Sequence, residues 1–276
     1  QRVDYSIAQP GDEVGDVGYA LNTMIDNVET ALQARAESEQ RLRQFVADAS
    51  HELRTPLASI QGYTQLLQKG SADEELALAR IASESARMSG LVEDLLLLAR
   101  LDAGRELASD PVDLIPLAID AVSDAHAAGP DHEWVLDLPQ FDDEDEDCVS
   151  CTVAGDESAL RQVFANLVNN ARIHTPAGTR VKVGVQVIGG GASAPGFVRM
   201  SVADDGPGIP PELRATVFDR FVRGDTSRSR QGKGSSGLGL SIVSSIAEAL
   251  GGRVDVDTVC EGEAKPGEHG TTFSVI

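Results

Sequence analysis

Between residues 38 and 101 the chain carries two helix-length runs whose apolar residues return every three or four positions. In the first, Leu42, Val46, Ala49, Leu53, Ile60, Tyr63 and Leu67 make one narrow stripe, with Pro56 breaking the rhythm. In the second, Ile81, Met88, Leu91, Val92, Leu95, Leu98 and Ala99 make another. That periodicity predicts two amphipathic helices. The joint, Lys69-Gly70-Ser71-Ala72-Asp73, offers Gly70 to stop one helix and Ser71 or Asp73 to cap the next. Two helices alone form a thin core, so a homodimer completing a four-helix bundle is expected.

Composition narrows the rest. The chain has 276 residues, room for about two domains. Its net charge of −21 argues against a general binder of nucleic acid or of an anionic membrane surface. Three cysteines, Cys148, Cys151 and Cys260, do not make a disulfide scaffold and fit a reducing cytosol. The single CxxC lacks two further ligands for zinc. No apolar run is long enough to cross a bilayer and no leader peptide is expected; a first residue Gln1 suggests a fragment.

Residues 1–37 read as a loop and then a helix, with Val17, Leu21, Met24, Ile25, Val28 and Leu32 on one stripe. From about 111 the pattern mixes helices with strands. Helices are expected over 113–128, 156–173, 210–220 and 238–250. Strands are expected over 133–138, 148–153, 181–188, 197–203, 253–259 and 271–276. The six acids Asp142–Asp147 read as a solvated loop, and 222–237 as a polar, Gly-rich one. Without strict βαβ alternation, the class is α+β, with helices on one face of a mixed sheet.

Chemistry concentrates in four strings. With Val46 and Leu53 at heptad position a and Ala49 at d, His51 falls at f, pointing away from the seam. A neutral imidazole there offers a nitrogen lone pair, and Glu52 can take the proton of the other ring nitrogen. Thr55, one turn on, shares the His51 face. Pro56 removes a helical donor and should kink the helix just below His51. By itself, a lone exposed histidine is most simply a surface residue.

Three more strings fall in the second half. Asn166 and Asn170 share a helix face and present amide oxygens suited to Mg²⁺. Asp204-Asp205-Gly206-Pro207-Gly208 follows an apolar strand; a carboxylate at a strand end can accept from an adenine amine. Gly234-Ser235-Ser236-Gly237-Leu238-Gly239 opens a helix, where free N–H groups suit phosphate. Each string alone is weak: two asparagines, an acidic turn and a Gly-rich loop occur in many proteins.

Together the strings resemble the sensor histidine kinases of two-component signalling. Phe45–Leu57 is similar to their H box. The three later strings look like the N, G1 and G2 boxes of the GHKL-type ATPase domain. Phe218-Asp219-Arg220-Phe221 looks like the F box, and Gly270-Thr271-Thr272-Phe273 like the G3 strand. Asp12–Val17 with Leu21–Met24 resembles the second half of a HAMP relay.

The resemblance implies a helical-hairpin dimerisation domain plus a two-layer α/β sandwich that binds ATP and Mg²⁺. It implies a HAMP part over 1–37, a dimerisation and phosphotransfer domain over 38–106 and an ATP-binding domain over 107–276. His51 is then the phospho-acceptor, Glu52 its acid/base, and Thr55 a helper of the reverse phosphatase reaction. Asn170 and Asn166 would hold Mg²⁺, and Asp204 would read adenine. His174, Gly206, Gly208, Arg223, Gly237, Leu238, Gly239 and Thr271 would shape or contact the nucleotide. Ile173 stands where the family often has Lys or Arg; the basic residue, Arg172, comes one position earlier, and no phosphate role is assigned to it. The basic segment 222–236 has the charge of a lid over triphosphate.

The implied partners are a second copy and a response regulator. The implied place is the cytoplasmic part of a membrane receptor, attached through an upstream transmembrane segment. Two other readings stand beside this one: a GHKL ATPase of another class, and a nucleotide-sensing scaffold without phosphotransfer.

Overall fold

The computed structural model describes residues 13–71, 73–105, 107–139, 151–189, 196–222, 236–260 and 269–276. Its first element is one helix of 56 residues, α1 (Glu13–Gln68), about 84 Å long at ~1.5 Å per residue. The expected separation near residue 37 is not a break, because no Gly or Pro lies there and the helix runs through. It also runs through Pro56, which is buried. Gly70, at φ 64°, ends the turn after α1, and the Asp73 carboxylate accepts from Leu76 N–H at 3.0 Å to cap α2 (Glu74–Asp102).

Much of the hairpin's apolar stripe faces outward: Leu42 is 61%, Val46 55% and Leu57 45% exposed. Counting heptads backward from Val46 places Leu42, Leu32, Val28, Ile25 and Leu21 in the same seam. The two seam positions between Leu32 and Leu42 are Arg35 and Glu39, which pair with each other at 3.3 Å.

The second body is a mixed sheet of β2 (Glu133–Asp137), β4 (Arg180–Ile188), β5 (Phe197–Asp204), β6 (Val254–Val259) and β7 (Gly270–Val275), in the order β2-β4-β5-β7-β6. β2 and β4 are parallel, and the other neighbours antiparallel. A separate two-stranded ribbon pairs β1 (Asp110–Asp113) with β3 (Thr152–Gly155). Three helices, α3 (Leu114–Ala128), α4 (Glu157–His174) and α6 (Gly239–Ala249), cover one face of the large sheet. Alternation decides which side chains they meet: Val181, Val183, Val202 and Phe273 are buried, while Lys182 stays outside and pairs with Asp137 at 3.6 Å.

The core joins the two bodies. Leu91 and Leu98 of α2 are buried in the same apolar cluster as Phe164, Leu167, Ile242 and Ile246. Phe45 and Leu53 of α1 pack against it.

Two expectations change. The helix foreseen over 210–220 is only α5 (Pro211–Arg214), after which the chain turns. The Asp219 N–H bonds to Thr216 O, and Phe221 takes φ 62°, left-handed backbone that no helix continues through. The short strand β1 was not foreseen, since Asp-Pro-Val-Asp lacks a strand pattern. The acidic run 142–147 and Arg223 lie outside the described residues.

Candidate active site

His51 sits on α1 with its side chain exposed, as the f position requires. Glu52 is half-buried and faces Arg87 of α2, with 3.8 Å between Oε2 and Nη2. The Thr55 hydroxyl donates to the His51 carbonyl oxygen at 3.4 Å, so it lies one turn along the histidine's own face.

The other strings meet between α4 and α6. Asp156 caps α4, accepting from Ala159 N–H at 3.1 Å. Buried Val163, Phe164, Leu167 and Val168 hold α4 on the sheet and turn Asn166, Asn169, Asn170 and His174 toward a cleft of about 130 Å³. Ser236, Gly237, Gly239 and Leu240 line the opposite wall at the start of α6, where the first amide N–H groups of a helix have no intrahelical partner. Leu238, fully buried, pins that turn. Gly237 has φ 72°, and a Cβ there would lie 2.9 Å from Phe221 backbone, so both conformation and space demand glycine.

Asn166 has a signature of its own: its Nδ2 is buried with no hydrogen-bond partner. A buried amide left unpaired is costly, and a ligand oxygen in the cleft would satisfy it. Asn166 and Asn170 line the same space, and neutral amide oxygens fit a Mg²⁺ ion that keeps most of its water.

Asp204 ends β5. It accepts from Gly206 N–H at 2.9 Å and from the Thr271 backbone. Burial pushes its carboxyl up to about 6, against those hydrogen bonds, which pull it down. Gly208, at φ 77°, passes so close to Val259 that a Cβ would strike its carbonyl. Thr271 is buried on β7, its hydroxyl 3.1 Å from that of Thr258. Arg172 is drawn to Asn169, donating to its Oδ1 at 2.7 Å, and does not line the cleft.

Two features escape the sequence reading. Asn169 lines the cleft beside its two neighbours, and only a helical wheel that tolerated a third asparagine would find it. Asp94 lines it as well, from α2 of the hairpin. Its carboxylate accepts from Gln162 Nε2 at 3.2 Å, and burial raises it to about 6. No local signal marks Asp94, because only the packing of the hairpin brings it there.

Phe218 meets Phe273 edge-on, with ring centroids 6.1 Å apart. Arg220 donates to Asp102 of α2 at 2.6 Å and stacks over the Phe45 ring at 5.2 Å. Phe221 also touches Phe45, with centroids 6.2 Å apart.

An ATPase-type sandwich bound to a helical hairpin with an outward histidine defines the class: nucleotide-dependent phosphotransfer proteins. Residues 155–276 match the family described as histidine kinase-, DNA gyrase B- and HSP90-like ATPase, and residues 41–104 the His Kinase A (phospho-acceptor) domain. The chain is 53% identical over 260 residues to the probable sensor histidine kinase TcrY of Mycobacterium tuberculosis, covering 93% of this chain and 52% of that protein. To the sensor histidine kinase TrcS of the same organism it is 48% identical, covering 93% of the chain and 49% of TrcS. To MprB of Mycobacterium leprae, described as a histidine-protein kinase/phosphatase, it is 33% identical over 93% of the chain and 46% of MprB. The chain thus spans about half the length of the curated relatives it matches. Among solved structures, histidine kinase ThkA in complex with response regulator TrrA superposes with TM-score 0.61 at 24% identity, over 88% of this chain and 63% of that one. The chain belongs to the two-component sensor histidine kinases. Among the described residues no helix is long and apolar enough to cross a membrane.

Proposed function

We propose that ATP binds with its adenine at Asp204 and its phosphates between α4 and α6, and that an imidazole nitrogen of His51 attacks the γ-phosphorus in line. The bond from the γ-phosphorus to the β–γ bridging oxygen breaks and ADP leaves. The phosphoryl group then passes from His51 to an aspartate of a response regulator. The observation that carries this reading is the exposed His51 on a hairpin that shares one core with an ATPase fold. A clamp-type ATPase would need no such histidine.

Glu52, whose carboxylate lies 3.8 Å from Arg87, would take the second ring proton of His51. Asn166 and Asn170 would hold Mg²⁺, which when bound neutralises phosphate charge. Thr55, one turn along the His51 face, would direct water at a phosphorylated ring, a phosphatase activity like the one MprB's name carries. The exposed seam residues of α1 fit a second copy, giving a homodimeric four-helix bundle. The response regulator follows the precedent of ThkA with TrrA. The stretch of α1 before the hairpin would be the end of a HAMP relay, and the chain the cytoplasmic part of a membrane-bound sensor.

Incubation with magnesium and γ-labelled ATP should label the chain with acid-labile, base-stable phosphate, and His51→Gln should abolish the label. Full labelling of the variant would refute the assignment.

A further inference from the structure

The turn that follows β5 is held from the neighbouring strands β7 and β6. A Cβ on Gly270 would strike the Asp204 carbonyl, so the first residue of β7 lies flush against the end of β5. That closeness sets His269, one residue earlier, beside the turn. It is half-buried, with Nδ1 2.7 Å from the Gly206 carbonyl oxygen. A carbonyl only accepts, so Nδ1 carries the proton and donates. The peptide it holds runs into Pro207, which has no N–H, so the Gly206 carbonyl is that peptide's only hydrogen-bonding group. Farther along, the Ile209 N–H donates to the Thr258 hydroxyl at 2.8 Å. The Ile209 carbonyl accepts from Arg214 Nε at 2.9 Å and from the Cys260 thiol at 3.1 Å.

Gly206 passes this hold on to Asp204. Its N–H donates to Asp204 Oδ1 at 2.9 Å. The fit leaves no slack: a Cβ on Gly206 would lie 2.7 Å from Asp204 Oδ1 and 2.7 Å from the Thr175 methyl carbon. Thr175 is itself fixed, its hydroxyl donating to the Ala171 carbonyl at 2.7 Å and lying 3.0 Å from His132 Nε2. Glycines at 206 and 208 would give a free turn wide backbone freedom, so the aim of the carboxylate has to come from bonds such as these.

We propose that His269 is a positioning residue for base recognition: by holding the Gly206 carbonyl it fixes the turn that aims the Asp204 carboxylate at the exocyclic amine of adenine. The proposal rests on the reading of Asp204 as the adenine acceptor. A loosened turn weakens the hold on the base, while the phosphate end of the site, between α4 and α6, keeps its own residues. Loss of the imidazole donor therefore acts on KM for ATP and not on the transfer step once ATP saturates. It also acts on discrimination against GTP, because guanine carries an oxygen where adenine carries the amine and has no proton there to give a carboxylate. The place of the donor matters more than the ring. In His269→Asn the side-chain amide nitrogen takes the position of Nδ1, whereas His269→Leu fills similar space and donates nothing.

The test uses the full chain with magnesium and follows labelling from γ-labelled ATP or GTP over a range of concentrations, with thermal melting to confirm that each variant folds. The unaltered chain should have a lower KM for ATP than for GTP. His269→Leu should raise KM for ATP about five- to tenfold, the worth of one hydrogen bond, and leave both KM for GTP and the rate at saturating ATP where they were. His269→Asn should restore most of the affinity for ATP. An unmoved KM for ATP in His269→Leu overturns the proposal. A lower saturating rate with KM unmoved overturns it too, since His269 would then serve the fold alone. Equal losses in His269→Leu and His269→Asn also overturn it, because packing of the ring and not its donor would be at work. An unaltered chain that uses ATP and GTP alike would refute Asp204 as the reader of the base; a preference for ATP that His269→Leu leaves intact would refute the role of His269 alone.

Discussion

Asp204 illustrates what a single buried carboxyl must reconcile. Its ordinary value is 3.8, and burial lifts it to about 6 in the folded chain. The fold therefore favours the neutral form. The stability this contributes is complete below about pH 4 and is lost as pH rises through about 6. Asp204→Asn mimics the neutral form, so its unfolding free energy relative to the unaltered chain should climb across that window and level off above it, as read by urea melts at a series of pH values. Under the proposed adenine contact, ligand binding would reverse the balance, since an adenine amine prefers an ionised acceptor. Asp204→Ala should weaken nucleotide binding at pH 7.5 about 10–100-fold, the loss of one charge-assisted hydrogen bond of ~1.5–3 kcal/mol. This residue was singled out in sequence only through the resemblance of the combined strings, since an acidic turn after an apolar strand is common in sheet proteins. Asp94 was not, since nothing within ten residues of it differs from an ordinary helix.

At the level of elements, periodicity carried most of the reading. α2, α3, α4, α6 and five strands lie within a few residues of their expected places, since each shows one buried face at helical or strand spacing. The failures are short pieces whose conformation tertiary contacts impose. α5 stops at Arg214, and Phe221 is bent by its contacts with Phe45 and Gly237. β1 exists only because β3 lies opposite it. The hairpin yields a sharper expectation. Val46 is 55% exposed although it occupies a seam position, which a second copy would cover. Val46→Asp would place two carboxylates face to face in that seam. Sedimentation should show dimer dissociation raised on the order of a hundredfold, about 3 kcal/mol for two desolvated like charges.

For the molecule as a whole, the arrangement of the two bodies was beyond local pattern. The domains were separable by composition, but the contact through Leu91, Leu98, Asp102 and Arg220 joins residues more than fifty positions apart whose types are unremarkable for a helix face. The long first helix has a consequence of the opposite kind. Its seam keeps one phase from Leu21 to Leu53, except where Arg35 and Glu39 replace two apolar knobs. Paired copies of α1 would grip on either side of that step and slip at it, so twist entering from the first stretch would be delivered to His51 attenuated, as through a soft coupling in a drive shaft. Filling the step with Arg35→Leu and Glu39→Leu should raise the dimer's melting temperature and fix its labelling rate at one level, insensitive to one-residue insertions ahead of Leu21. Stiffness along this rod, rather than chemistry at its end, would then set how finely the kinase can be tuned.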